Sequence, residues 1–374
     1  MRVVRLSTTE ELEQFAAPWN ALARGVPFRS HDWLASWWRF YGGDHDLCAL
    51  AVIDDLGEVV GVAPLYLERT TSRGRVLKLL GTGDVCSDYL SILAAKGSEE
   101  EVTSVLAQWL VDANHPANPS PAARWELLEL SGVSADDAHV AQLIGHMIED
   151  GAQVHRREGP NCWRIELPDS WETLLAAMSK SHRKQIRRVE KRLLDSGRAV
   201  LRTADETTLE PALEILIDLH QRRRQSLGQP GCFSSPAFSG FLHEAARRLL
   251  ASKRLELHWI ELDGRPVAAE FQLAGDDIVF AYQAGVDPDT LEEEPGRIIN
   301  VATLRRAIEL GRRGFDFLRG DEPYKAHWRA GPRASWELRV VPSAASARLR
   351  HGVWLAGDTM KQLIKTGLNL SGMR

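Results

Sequence analysis

The chain has 374 residues, which is more than one hydrophobic core usually serves, so two domains of ordinary size are expected. Its 46 Lys and Arg residues nearly balance 51 Asp and Glu residues, which leaves a formal net charge of -5. That balance excludes a general electrostatic attraction to DNA or to anionic membranes. Any binding of a polyanion therefore has to be local.

Cysteine spacing and the N-terminal sequence indicate the class of protein. Cys48, Cys86, Cys162 and Cys232 form no CxxC or His-spaced pattern, which predicts neither a metal site nor a disulfide framework. We expect reduced, mostly structural thiols. The N-terminus turns acidic and polar before a signal peptide can form, and no stretch approaches the roughly 20 apolar residues of a membrane span. We therefore expect a soluble, cytoplasmic protein without a transmembrane segment.

The two halves of the sequence resemble each other faintly. FRSHDWLASWW at 28–38 is echoed by FSSPAFSGFL at 233–242. Further along each half, IDDLGEVVGVAPLYL at 53–67 corresponds to IELDGRPVAAEFQLA at 260–274, and each has strand-like runs around an Asp and Gly turn. Either the chain is a tandem of two α/β domains, which we expect, or a common helix-and-hairpin order recurs by accident. The expected divisions are a first domain at 1–165, a second domain at 166–345 and a basic tail at 346–374.

A turn-rich loop in the first half, GTGDVCSDYL at 81–90, follows the strand-like VLKLL. Loops of this kind carry binding sites more often than cores do, so Asp88 and Tyr89 are candidates for contact with an acceptor. The alternative is ordinary turn chemistry, which by itself explains Gly, Asp and Ser at these positions.

A basic helical segment at 171–197 opens the second half, with apolar residues at spacings of three and four. Nine Lys or Arg residues and two acids lie within 180–202. The cluster is either a solvated helix face or a site for a phosphate or another anionic group. Arg183 and Lys184 represent the second interpretation.

The remainder of the second half predicts a mixed sheet. LELHWIEL, PVAAEFQL and IVFAYQAG are joined by tight turns, which favours an antiparallel meander. A helix then begins near Pro295 and Gly296, and FDFLRG supplies a returning strand that should pair in parallel. The free amides and positive dipole at this helix start favour an anion such as a pyrophosphate, and Arg297 adds charge.

The run PGRIINVATLRRAIELGRRGFDFLRGDEPYKAHW, in this order of elements, resembles the GNAT acyltransferase superfamily. It is most similar to the FemAB-like, CelD-type branch associated with cellulose or exopolysaccharide biosynthesis. The resemblance implies an α/β (α+β) fold of tandem GNAT-like domains, each a mixed, mostly antiparallel sheet flanked by helices. It also implies acetyl-CoA or another acyl-CoA as co-substrate, without a metal, and with its diphosphate at Pro295, Gly296, Arg297 and Ile298. The sequence EEPGRI departs from the usual glycine-spaced pyrophosphate loop of that superfamily.

Acyl transfer requires a base for the acceptor proton and an acid for the leaving thiolate, and the resemblance places the segment FDFLRGDEPYK beside the thioester. Glu270 interrupts an apolar strand, where burial would raise its pKa. Glu270 and Asp321 are the candidate bases, and Tyr324 is the candidate acid. Further substrate-binding candidates from the same segment are Asp316, Arg319 and Lys325. The alternative for all of these residues is a self-contained ion-pair network that fixes the loop.

These observations lead us to expect an acyl-CoA-dependent N- or O-acyltransferase that acts on a saccharide or cell-envelope precursor, by direct transfer in a ternary complex. The acceptor would lie between the domains. One alternative is a Fem-type aminoacyl ligase, which would use charged tRNA and meet it with the basic segment at 180–202. Another is a catalytically silent scaffold in polysaccharide biosynthesis. The acceptor, the acyl chain and the oligomeric state stay open.

Overall fold

The computed structural model describes residues 1–23, 25–115, 117–118 and 123–356. The first half contains nine strands and five helices, with these bounds: β1 Arg2–Leu6, α1 Thr9–Gln14, α2 Ala16–Leu22, α3 His31–Tyr41, β2 Asp46–Leu47, β3 Ala49–Ile53, β4 Val59–Ala63, β5 Leu65–Thr70, β6 Gly74–Leu79, β7 Leu93–Ala94, α4 Glu99–Ala113, β8 Leu127–Ser134, α5 Ala138–Glu149 and β9 Gln153–Glu158. These counts apply to the described residues.

The second half continues with the following elements: β10 Cys162–Glu166, α6 Trp171–Ala177, α7 Lys180–Val189, β11 Ala199–Thr203, α8 Leu209–Ser226, α9 Pro236–Ala251, β12 Leu255–Leu262, β13 Arg265–Ala274, β14 Ile278–Val286, α10 Pro295–Glu309, β15 Gly314–Arg319, α11 Pro323–His327, β16 Gly331–Arg333 and β17 Ser335–Val341. Residues 345–356 are also helical. The expected tail at 346–374 therefore begins as a helix, and its part at 357–374 lies outside the described residues. Among the described helices, none has both the length and the apolar character needed to cross a bilayer.

The described part of the chain forms three mixed or antiparallel sheets, which confirms the expected fold class. Their strand orders are β1-β3-β4-β7, β2-β5-β6-β8-β17-β9 and β11-β12-β13-β14-β15-β10-β16. In the second half, the predicted meander corresponds to β12, β13 and β14, and the predicted returning strand β15 pairs in parallel with β14. Short turns between complementary strands make this part of the fold readable from local sequence.

Two strands cross between the halves. β10 pairs with β15 and β16, and β17 lies between β8 and β9 in the largest sheet of the first half. Aromatic rings also meet across the boundary, since Trp33 lies 4.9 Å from Tyr282 and 4.8 Å from Phe241 between ring centroids. The halves therefore share backbone hydrogen bonds and a core. The division of the chain at residue 165 stays a prediction about folding units.

β14 and β15 part from each other midway along their length. Their parallel pairing runs from Ile278 opposite Gly314 to Phe280 opposite Asp316. Beyond that point β14 stays paired with β13, whereas β15 stays paired with β10 up to Arg319. We call the space between residues 281–286 of β14 and residues 317–319 of β15 the strand gap.

Candidate active site

The amino end of α10 lies beside the end of β14. A Cβ atom added at Gly296 would come 3.8 Å from Val286 Cγ1. The amides of Arg297 and Ile298 donate to the carbonyl of Glu294 at 2.8 and 3.1 Å. Within the described residues, this leaves the Gly296 amide as the donor of the first turn that a ligand can use. The helix start thus offers fewer free amides than an uncapped helix.

Charged and ring side chains surround this helix start. The Glu294 carboxylate forms ion pairs with Arg297 and, at 2.9 Å, with Arg188. The ring centroids of His182 and His327 lie 5.9 Å apart. Burial, followed by the charges of Arg297 and His327, lowers the pKa of His182. An anion bound here would compete with Glu294 for the guanidinium groups of Arg188 and Arg297. Its binding would replace the Glu294 carboxylate as their partner.

Glu270 is buried on β13 and faces α10. Its Oε2 atom accepts hydrogen bonds from Gln272 Nε2 at 2.7 Å and from Thr303 Oγ1 at 3.4 Å. Burial raises the pKa of Glu270 to about 7, because these neutral donors compensate the desolvated charge only in part. A carboxyl group with this pKa can exchange protons near neutrality.

Tyr324 lies on α11 within the electrostatic range of Glu270. Its ring meets Phe317 edge-to-face at 5.7 Å, and the side chain is 43% exposed. Burial of the hydroxyl end and then the charge of Glu270 raise the pKa of Tyr324. The phenol is therefore protonated near neutrality, as a general acid has to be. The fold brings together two of the three residues to which the sequence analysis gave catalytic roles.

Asp321, the third of these residues, is held against β10. Its Oδ1 atom accepts a hydrogen bond from Trp163 Nε1 at 3.0 Å. This contact orients the carboxylate on the outer side of the turn between β15 and α11. Its role as a base stays a prediction.

Lys325 is buried beneath the same turn, with 2% of its surface exposed. Its Nζ donates to the carbonyls of Leu318, Arg319 and Gly320 at 3.1, 2.9 and 3.0 Å, and forms an ion pair with Glu322 at 2.9 Å. The carbonyls use every proton of the ammonium group. This geometry favours a structural role for Lys325, in which it fixes the end of β15, over contact with a substrate.

The remaining acidic and tyrosine candidates meet at the junction of the two halves. Arg319 Nη2 lies 2.7 Å from Asp88 Oδ1, and the Tyr89 hydroxyl donates to Asp316 Oδ2 at 2.5 Å. Arg164 Nε donates to the same Asp316 oxygen at 2.9 Å. Burial raises the pKa of Asp316, against the opposing effect of the Arg164 charge. Residues that the sequence placed in separate halves thus form two adjoining pairs, Asp88 with Arg319 and Tyr89 with Asp316.

A cavity of about 290 Å³ opens beside these pairs. Arg29, Tyr89, Arg164 and Arg333 line it together with acidic residues of the loop before α5. Each of its three guanidinium groups is paired with a carboxylate, Arg29 with Asp137, Arg164 with Asp316 and Arg333 with Glu166. An anionic group on an acceptor would therefore have to compete with these carboxylates.

The two basic candidates on α7 lie away from this cavity. Arg183 Nη1 donates to the carbonyl of Ala176 at 3.3 Å, and Lys184 is exposed. Neighbouring cations are paired, since Arg188 contacts Glu294 and Arg192 contacts Glu293. Part of the positive charge of the basic segment at 180–202 is therefore neutralised in the fold.

Sequence reasoning missed three residues around the site. In the sequence, Arg164 belongs to the short strand β10 and carries no mark of a site residue. Only the pairing of β10 with β15 brings its side chain to Asp316. Thr303 lies on an otherwise apolar face of α10, and Gln272 lies two residues beyond Glu270 on β13. A polar residue within an apolar periodic pattern is the signal that could have identified both.

Comparison with known proteins agrees with the geometry of the second half. Residues 180–326 match the family model described as an acetyltransferase (GNAT) domain. No curated protein sequence matches the chain.

Among solved structures, that of FemX superposes with a TM-score of 0.62 and 12% identity, over 90% of this chain and 97% of that chain. A conserved protein of unknown function from Bacteroides thetaiotaomicron gives a TM-score of 0.56 and 14% identity, over 91% and 100%. L-PGS from Bacillus licheniformis gives a TM-score of 0.53 and 12% identity, over 93% of this chain and 96% of that chain. Residues 180–326 are therefore similar to a GNAT acetyltransferase domain, within a fold over both halves of the chain that resembles that of FemX.

Proposed function

We propose that this protein is an acyl-CoA-dependent N- or O-acyltransferase that acts on a saccharide or cell-envelope precursor. The observation that carries this proposal is the strand gap with the start of α10 at its side. A gap in a sheet admits an extended acyl-thioester arm, and the adjoining helix start and Arg297 suit its diphosphate. The match of residues 180–326 to an acetyltransferase domain supports the same donor.

Two residues have the properties that the chemistry requires. Tyr324 stays protonated near neutrality and would protonate the leaving thiolate. Glu270, with a pKa of about 7, would take up or relay a proton released during transfer. Asp321 is the exposed alternative for that role.

The acceptor would bind in the cavity between the halves. Arg29, Arg164 and Arg333 line this cavity and would bind a phosphate or carboxylate of an envelope precursor by exchanging their present carboxylate partners for it. Asp88 and Tyr89 support the cavity through their pairs with Arg319 and Asp316.

A Fem-type aminoacyl ligase that uses charged tRNA is the second candidate. The similarity to FemX over both halves of the chain favours it. Arg183 and Lys184 on α7 would then meet RNA phosphates, and binding would weaken steeply as the salt concentration rises.

A substitution at the helix start tests the leading proposal. Gly296→Ala places a methyl group where an anion would approach, and the nearest atom, Val286 Cγ1 at 3.8 Å, leaves room for it. Because alanine favours a helix, the variant should fold at least as stably as the wild type. Isothermal titration with acetyl-CoA and a longer acyl-CoA should show affinity lowered by about tenfold, equivalent to about 1.4 kcal/mol.

Gly145→Ala on α5 is the matched control, since it is also a helical glycine with open space around it. It should leave acyl-CoA affinity unchanged. Absence of acyl-CoA binding by the wild type, together with salt-dependent binding of aminoacyl-tRNA, would instead establish the second candidate.

A further inference from the structure

Strands β6 and β8 of the first half run parallel and then part, as β14 and β15 do in the second half. Their pairing ends with Lys78 opposite Glu129. β6 ends one residue later at Leu79, whereas β8 continues beside β17 up to Ser134. In α/β sheets, ligands bind in crevices outside the carboxyl ends of parallel strands, so the fold provides a second position for a ligand here.

A cavity of about 410 Å³ opens where the two strands part. The chain that leaves β6 lines it with Thr82 and Gly83, and β8 lines it with Leu130 and Ser131. Trp354, from the last described helix, lies at another side. We call this space the β6–β8 cavity. Its volume lies within the range of small-molecule sites.

The helix in the connection from β6 to β8, α4, begins away from this cavity. Its residue Val102 packs on β4, a strand of another sheet, where a Cβ atom added at Gly61 would lie 2.4 Å from Val102 Cγ1. The first turn of α4 carries Glu99, Glu100 and Glu101, which would repel a diphosphate. The β6–β8 cavity therefore lacks the helix start that suits acyl-CoA at α10. Side chains have to hold its ligand.

Basic side chains outnumber acidic ones around the cavity. Four Lys and Arg side chains and two carboxylates line it: Lys78, Arg156, Arg157, Arg339, Glu129 and Glu337. Arg157 pairs with Glu337 at 2.5 Å, which removes one charge of each sign. The remaining lining has an excess of positive charge.

The second carboxylate, Glu129, is shared by several cations. Arg73 and Arg339 contact it at 2.8 and 2.9 Å, and Lys78 lies 3.8 Å from it. Glu68 is the other acid of this group and lies 2.7 Å from Lys78. Three cations therefore share two carboxylates. Burial opposes the ionisation of Glu129, but the charges of Arg73 and Arg339 lower its pKa, as expected where the local potential is positive.

Two guanidinium groups of the lining keep donors for a ligand. Arg339 donates to Glu129 through Nε at 3.0 Å, and its Cζ lies 3.6 Å from the ring centroid of Trp354. Its Nη1 has no hydrogen-bond partner among the described residues. Arg156 lies over Trp336, with its Cζ 4.3 Å from the ring centroid, and pairs with no carboxylate in the described part of the chain. The rings orient both groups without using their N–H donors.

We propose that the β6–β8 cavity binds a small organic anion whose phosphate or carboxylate group is held by Arg339 and Arg156. The planar edge of a guanidinium group matches the oxygens of either anion. The hydroxyl group of Ser131 lines the same cavity and is available to the rest of the ligand. This site does not depend on acyl transfer, and it gives the first half of the chain a ligand of its own.

Isothermal titration of the full chain with ribose 5-phosphate, citrate and ribose tests the site. Ribose 5-phosphate offers a phosphate, citrate offers carboxylates, and ribose is the uncharged counterpart. We expect binding of an anion at millimolar concentrations and no binding of ribose. Preference for ribose 5-phosphate would assign the anion as a phosphate, and preference for citrate would assign it as a carboxylate.

Two substitutions locate the bound anion. Arg339→Lys keeps a cation beside Glu129 but loses the planar fork, and it should weaken anion binding about tenfold. Arg156→Gln removes an exposed guanidinium group and should also weaken binding about tenfold. Arg265→Gln is the matched control, since Arg265 is an exposed arginine on β13, in a different sheet, and it should leave affinity unchanged. Thermal unfolding of each variant verifies that it is folded.

Gly296→Ala separates this site from the start of α10. An anion bound in the β6–β8 cavity keeps its affinity in Gly296→Ala and loses it in Arg339→Lys, whereas an anion bound at α10 does the reverse. The proposal is overturned if neither anion binds at millimolar concentrations. It is also overturned if folded Arg339→Lys and Arg156→Gln chains bind the anion as the wild type does, or if Arg265→Gln weakens binding equally.

Discussion

Replacement of Glu270 by glutamine isolates the effect of one buried carboxyl group on stability. Its pKa in the folded chain is about 7, against 4.5 for an unperturbed glutamic acid. Between these values the native state binds the proton and the unfolded state releases it. The stability that the acid contributes is therefore complete at low pH and is lost as the pH rises toward 7. Glutamine keeps the shape of the side chain and does not titrate.

The magnitude follows from the difference in proton affinity. Each pKa unit corresponds to about 1.4 kcal/mol, so a rise from 4.5 to about 7 amounts to about 3 kcal/mol. We expect the free energy of unfolding of the wild type, measured relative to that of Glu270→Gln, to fall by about 3 kcal/mol as the pH rises from 4.5 to about 7. Above pH 7 the difference in unfolding free energy between the wild type and Glu270→Gln should change little.

Urea unfolding of both chains at a series of pH values measures the difference directly. Glu256→Gln is the control of opposite sign, because His258 and Arg312 outweigh the effect of burial and lower the pKa of Glu256. Relative to that variant, wild-type stability should fall as the pH is lowered. A wild-type minus Glu270→Gln difference that stays flat from pH 4.5 to 7 would refute the raised pKa and with it the proton-exchange role.

Three further substitutions test particular contacts. Lys325→Met leaves three buried carbonyls without a donor and should lower the free energy of unfolding by about 3 kcal/mol in urea titrations, whereas the exposed Lys184→Met should change it little. Tyr89→Phe removes the hydrogen bond to Asp316 and should cost about 1 to 2 kcal/mol by the same measurement. Gly285→Ala forces α8 away from β14, because its Cβ would lie 2.5 Å from His220 N, and should destabilise the chain by about 2 kcal/mol.

Each of these has an outcome that would contradict it. Full stability of Lys325→Met with lost acceptor binding would return Lys325 to the substrate site. An unchanged Tyr89→Phe chain would show that water replaces the phenol at Asp316. Wild-type stability of the Gly285→Ala chain would show that α8 can move away from β14 without loss of packing.

Local sequence patterns predicted much of the second half. The meander, the helix starting at Pro295 and the parallel return to β14 follow from alternation, turn residues and the length of the crossover, which depend on near neighbours. The buried position of Glu270 was readable for the same reason, since a charged residue interrupted an apolar strand. The pairing of β10 and β17 with strands of the other half could not be predicted, because those partner strands lie far away in the sequence.

The sequence by itself therefore determined the order of elements, the mixed sheet and an acid with raised pKa, all of which depend on short-range periodicity and burial. Only the tertiary structure decided which charged residues are neutralised. Lys325 bonds to carbonyls, and Asp88 meets Arg319 across 231 positions of the chain. The packing of α8 on β14 likewise exists only because Gly285 leaves room for the backbone at His220. Contacts of this kind depend on distances between remote segments, which no local pattern encodes.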